Sequence, residues 1–437
     1  MRRLVRGLVA GFLLLAFFAV PSSAALPSFT RHALGTLTRP LERTYAVPRG
    51  AVLLGVTWRS GSAAVAVRRG LGAWEDVEND AVPGPRAGTE PVWLGSAVSL
   101  VTVRVVPDGV VRDAAVDFAG GGTASASSSS APHTRTLPRL GSVVTRPGWG
   151  ADERLRSGGV SYTTPTALVV HHTVTSNDYT QAEAASFVRA VYAYHTRSRG
   201  WSDIGYNLLV DRFGTVYEGR YGDFAKGVVG AHTAGFNEHT MGVSLLGNYD
   251  AVDTPAALLG AVQRVGAWAA ERWRIDPRGT VTLTSAGSPR FPRGTRVTVS
   301  RMPGHRDLGI TACPGRYAYG HLPAIRAGAW RLLRAVIAKP VVTGAPVRSP
   351  DPVTVKASID HAAWWVATIR TSDGDVVARA SGRGTRIAVS WDGVLPNGLP
   401  ALPGSSYTYR LTADDHLHGA SDPRSGTFDA GMPRLLP

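Results

Sequence analysis

Between residues 26 and 118, apolar and polar positions alternate in short runs such as "AVLLGVTW", "AAVAVRR" and "AVSLVTVRVV", bounded by Gly, Pro and Asp. A period of two with that punctuation predicts a small all-β domain. The following stretch, "AGGGTASASSSSAPHTRT" (119–136), lacks apolar side chains whose burial would offset the entropy of ordering, and reads as a flexible linker.

From 137 to 340 the period changes to strands alternating with helices. "TALVVHH" (166–172) predicts a buried strand, "YNLLVDRFGTVYEGR" a hairpin turning at Asp211 to Gly214, and "MGVSLLG" another strand. "TQAEAASFVRAVYAYHTRSRG" predicts a helix with a Thr180/Glu183 capping box, a stripe of Ala184, Phe187, Val188 and Val191, and a stop at Gly200. "TPAALLGAVQRVGAWAAERW" predicts a second helix with Thr254 as N-cap, Pro255 at its first position, and Leu258, Val262, Val265 and Ala269 on one face. "LPAIRAGAWRLLRAVIAK" closes the region as a third. The expected fold class is α/β, a mixed central sheet flanked by helices, with additional all-β domains on its N- and C-terminal sides. Residues 341–437 return to alternation around Asp-Gly turns, as in "TRIAVSWDG" and "SYTYRLTADD", which suits an Ig-like β-sandwich.

Residues 1–25 change the setting of this fold. Arg2, Arg3 and Arg6, an apolar run from Leu8 to Val20 and small residues at Ala24 and Ala25 have the order of a secretory signal peptide. The run is short for a membrane span, an uncleaved anchor being the alternative, and the Arg2-Arg3 pair leaves Sec and Tat export both open. The expected location is secreted, extracellular or cell-wall associated. Net charge is +15, or +12 once the three signal arginines are removed, so anionic wall polymers are plausible partners. Export argues against nucleic acid, and the chain is expected to act as a monomer.

Cys313 in "RMPGHRDLGITACPGRY" (301–317) is the one cysteine of 437 residues. An unpaired cysteine in an exported chain bridges two chains, sits inert in a core, or binds a metal. Here the Gly- and Pro-rich loop also carries His305, and the pair His171-His172 ends a predicted strand. Zinc accepts imidazole nitrogen and thiolate sulfur together, and three protein ligands leave one tetrahedral position open. Adjacent strand residues face opposite sides, so one of His171 and His172 reaches the metal; alternation does not say which.

Five ordered motifs carry a resemblance: "RPGWGADE" (146–153), "VVHHT" (169–173), "GWSDIGYNLLVDRFGTVYEGR" (200–220), "GAHTAGFNEHTMGVSLLGNY" (230–249) and "GHRDLGITACPG" (304–315). Together they make the middle region similar to the peptidoglycan recognition protein family, related to the phage-lysozyme type of zinc N-acetylmuramoyl-L-alanine amidase. The resemblance implies Zn2+ held by His171, His305 and Cys313, and a catalytic Tyr206. It places Thr311 where phage relatives carry a catalytic lysine, and His232 and Asn237 where relatives line the glycan and peptide groove. Glu218 is a possible base, and His172 a support behind the ligands. The implied substrate is peptidoglycan, glycan strand plus stem peptide, cut between N-acetylmuramic acid and L-Ala. A non-catalytic peptidoglycan-binding protein is the alternative, and retention of Cys313 favours the enzyme. The layout is similar to actinobacterial secreted members. The animal members' disulfide is missing, and 276–301 is an extra segment that could border the groove. The tail resembles the Ig-like domain of flagellar hook-capping proteins.

Overall fold

The computed structural model describes residues 29–80, 82, 84–95, 97–122, 133–344, 352–415 and 420–430. The expected signal peptide and most of the expected linker (123–132) lie outside the described residues. Among these, no helix is long and apolar enough to cross a membrane.

The first unit is built on one long strand, Leu100–Ala119, which pairs antiparallel with Phe29–Leu37, Leu41–Ala46, Leu53–Trp58 and Ser60–Arg69. Its core is β-branched: Val56, Val65, Val67, Val101, Val103, Val105 and Val116 all lie inside, as expected for residues that pack well on a pleated surface.

The middle unit holds a six-stranded mixed sheet in the order Ala167–His172, Thr240–Leu245, Leu208–Val210, Val216–Glu218, Gly141–Val144, Thr134–Leu137. The predicted hairpin forms as read: Leu208–Val210 and Val216–Glu218 pair antiparallel, and Asp211 Oδ1 accepts from Phe213 N and Thr215 N. Alternation then divides the sheet. Leu208 and Val210 join Leu258, Val262 and Val265 of the Ala256–Trp273 helix and Leu322 and Ile325 of the Arg316–Leu332 helix in one cluster. Leu209 between them joins Phe187, Val188 and Val191 of the Ala184–Ala193 helix on the opposite face. The mixed sheet therefore has helices on both sides.

Helix ends differ from the sequence reading. Glu183 reaches back to Thr180 N at 2.8 Å, but the Thr180 hydroxyl bonds the same carboxylate, and the helix starts only at Ala184. Pro255, not Thr254, is the N-cap of the second helix. The third begins at Arg316, six residues before the predicted start, and carries Pro323 inside it. It starts directly after Cys313-Pro314-Gly315, so the metal-candidate loop opens into a helix packed on the core.

The extra segment forms a two-stranded hairpin, Thr280–Thr284 with Arg296–Ser300, whose Leu283 packs with Phe236, Val169 and Leu308. In the tail, hydrogen bonds among the described residues link five strands into one antiparallel sheet. Its two longest strands, Val353–Arg370 and Val376–Trp391, break register between Ser358 and Ala363, where an irregular ladder lets strands bend.

Candidate metal centre

The Ala167–His172 strand lies at the sheet edge, and the chain at 301–304 runs beside it. Leu168 N donates to Arg301 O and Val170 N to Pro303 O, with a parallel bridge from Val170 to Gly304. This register delivers His305, the first residue of a short 3-10 turn, next to His171. Asp307 fixes the turn by accepting from Gly304 N at 2.9 Å. The loop then closes on itself: Arg306 N donates to Cys313 O, and the Arg306 guanidinium donates to Ala312 O.

The result brings one donor atom each of His171, His305 and Cys313 within 4.8 Å of one another, all three residues buried. Cys313 Sγ lies 3.8 Å from His171 Nδ1, and the two imidazole centroids are 4.6 Å apart. Side alternation explains the choice within the histidine pair. Leu168 and Val170 point to the two-helix face, so His171 points with Val169 to the other side. His172 turns away; its backbone N–H donates to Cys313 Sγ at 3.4 Å, and its Nδ1 accepts from Tyr249 N at 3.2 Å.

These residues fit a zinc-like cation on their own chemistry. His305 Nε2 is buried with no hydrogen-bond partner among the described residues. Burial holds His171 well below the usual imidazole range and His305 down to about 4, so both rings are neutral near pH 7, the form that can ligate a cation. Burial first, and then the Glu90 charge, push the Cys313 thiol well up. A divalent cation would reverse that push, because coordination deprotonates a thiol outright. Two imidazoles and one sulfur within mutual reach are a donor set that zinc favours.

Other sequence candidates fall into distinct places. Tyr206 lines the same small cavity, its ring centroid 5.4 Å from His171. Thr311 Oγ1 accepts from Cys313 N at 3.1 Å, so the hydroxyl is tied to the cysteine turn with its proton free to donate. His232 is buried and its Nδ1 lies 3.0 Å from His171 Nε2, which makes it a support for a ligand rather than an open groove residue. Asn237 differs from the expected groove role: its Oδ1 accepts from His232 N at 2.7 Å and Thr233 N at 2.9 Å, capping the turn that holds His232. Glu218 is not placed as a base. Its Oε2 accepts from Arg146 N at 3.1 Å, and the residue does not line the cavity of the three donors.

Three residues of the first β unit, Asp80, Val82 and Glu90, also line that cavity and were missed by sequence reasoning. The signal was present: Glu75, Asp76, Glu78 and Asp80 form an acidic run in a strongly basic chain.

Residues 161–316 match the family described as N-acetylmuramoyl-L-alanine amidase. Peptidoglycan-recognition protein SC2 of Drosophila simulans is 34% identical over 165 residues, covering 36% of this chain and 76% of that protein. Peptidoglycan recognition protein 1 of Bos indicus is 35% identical over 185 residues, covering 41% and 81%. Among solved structures, peptidoglycan recognition protein-LE in complex with tracheal cytotoxin is 26% identical, with a TM-score of 0.34 over 42% of this chain and 92% of that one.

Proposed function

Because the chain belongs to the peptidoglycan recognition protein family, we propose that it is an exported zinc-dependent N-acetylmuramoyl-L-alanine amidase that cuts the amide between N-acetylmuramic acid and the L-Ala of the stem peptide. The observation that carries this reading is the convergence of His171, His305 and Cys313 within 4.8 Å beside Tyr206.

Bound to these donors, zinc would supply a Lewis acid for the lactyl amide carbonyl and an acidified water as nucleophile. The protein's own contributions are positioning and proton control. Burial raises the Tyr206 hydroxyl far above its ordinary range, so it keeps its proton at neutral pH and donates to the oxyanion that forms at the amide carbonyl. Thr311 accepts from Cys313 N and so braces the turn that carries the sulfur. His172 N–H and His232 hold the sulfur and the first imidazole at fixed angles, so little reorganisation accompanies the reaction.

Mass spectrometry of muropeptides digested by wild type and Cys313→Ala, with zinc content measured in both, tests the reading. Wild type should release stem peptides with a free L-Ala amine, and the variant should lose both activity and zinc. A Cys313→Ala protein that keeps zinc and full activity would refute it.

A further inference from the structure

The cavity shared by the three donors and Tyr206 has a volume of about 10 Å³, room for about one water. No sugar or peptide amide fits there. What closes it is the first β unit: Asp80, Val82 and Glu90 form one wall. A larger cleft of about 430 Å³ lies between the two units, lined by Glu75, Glu78, His172 and Asn248 among others. Among the described residues, Glu90 alone lines both spaces, so it stands as the partition between them.

The closure is a built interface. Arg199 is fully buried, and its guanidinium pairs with Asp80 and donates to the carbonyls of Val82 and Arg86. Tyr194 donates its hydroxyl to Thr89 O at 2.7 Å. Glu78 accepts from Ala312 N at 3.3 Å, next to the sulfur ligand. Trp93 stacks on Phe187 with centroids 4.2 Å apart. Glycines of the first unit press flush against the middle one. A Cβ at Gly55 would lie 2.2 Å from the Tyr194 ring, and one at Gly84 would lie 2.1 Å from the Trp201 indole. Side chains at both positions would hold the surfaces apart.

We infer that the N-terminal β unit is an intramolecular inhibitor of the metal site, docked through the Arg199–Asp80 latch, and that substrate enters only when this unit is displaced. The inference rests on the amidase reading for what the site does once open, but its geometry concerns access alone. Separation breaks the Arg199–Asp80 pair and exposes the Trp93–Phe187 stack to water, so it is costly and the closed form dominates until a competing ligand or a change in chain connectivity shifts the balance.

Cys313 is the only thiol in the chain, which makes its accessibility directly readable. The full chain, stripped of metal, is treated with the bulky aromatic disulfide 5,5′-dithiobis(2-nitrobenzoate), and the labelling rate is followed. Gly55→Leu wedges the interface, Asp80→Ala removes the latch, and Gly320→Leu, at a helix site with open space around it, is the control. Both interface variants should label about tenfold faster or more than wild type, with Gly320→Leu unchanged. The zinc-loaded variants should also release more muropeptide fragments than wild type. Equal labelling rates in wild type and both interface variants would overturn the inference. Faster labelling without any rise in muropeptide release would uphold the masking and refute the amidase reading instead. Should Asp80→Ala melt below the assay temperature, Asp80→Asn removes the charge at nearly constant shape and carries the same expectation.

Discussion

His232 Nδ1 lies 3.0 Å from His171 Nε2, with both rings buried. Nδ1 of His171 faces Cys313; a cation bound there would leave the ring proton on Nε2, where His232 Nδ1 can accept it and hold that tautomer. His232→Ala should therefore weaken zinc binding about 10- to 100-fold, read by competition with a chromogenic chelator. A role confined to substrate contact would leave the zinc affinity unchanged.

Tyr206→Phe removes one hydroxyl from a side chain that lines the metal-candidate cavity. If that hydroxyl donates to the oxyanion, kcat should fall by about 10²- to 10³-fold while zinc content stays at the wild-type level. Steady-state cleavage of a defined muropeptide, paired with metal analysis, checks both halves.

Asn237 caps a turn, accepting two backbone N–H groups with one oxygen. Asn237→Ala leaves both donors without that partner and should cost about 1–3 kcal/mol of stability, visible as a lower Tm. Asn237→Asp keeps an acceptor and should lose much less. A substrate-binding role would instead raise KM in both variants without moving Tm.

The stability of the metal-free protein should fall in mild acid. His195 is buried, accepts from Gly205 N at 3.2 Å, and has its pKa held down to about 3, first by burial and then by the Arg199 and Arg220 charges. Unfolded, it would take up a proton near pH 6.5. Between those two values the unfolded state binds the extra proton, so stability rises with pH by up to about 1.4 kcal/mol per pH unit for this group. The contribution is complete above about pH 6.5 and is lost as pH falls toward the folded value. Thermal melts of metal-free protein from pH 7 to pH 5 should show a falling Tm, with a shallower fall in His195→Gln.

Short-range information was enough for much of this protein. Period-two runs marked the strands on either side of the middle unit. Asp211 to Gly214 marked a turn, and Leu258, Val262 and Val265 marked the buried face of a helix, because each signal is written within a few consecutive residues. The donor types were legible too, since an unpaired cysteine on a Gly/Pro loop with a histidine has few chemical uses in an exported chain. Helix ends were less so: Thr180 spent its hydroxyl on Glu183, and Pro323 sat inside a helix rather than at its start.

Tertiary structure alone decided what no local pattern contains. Which histidine of the pair points its ring to the sulfur followed from the packing of Leu168 and Val170 against the two-helix face, which turns His171 to the other side. Asn237 and Glu218 look like site residues in the chain, yet their oxygens are taken by backbone donors brought near by folding. The wall made by Asp80, Val82 and Glu90 arises more than 200 residues from Cys313, where only docking of one unit on another joins them. Alternation and capping are set by neighbours along the backbone; convergence and occlusion are set by contacts between surfaces, and those exist only once the chain has packed.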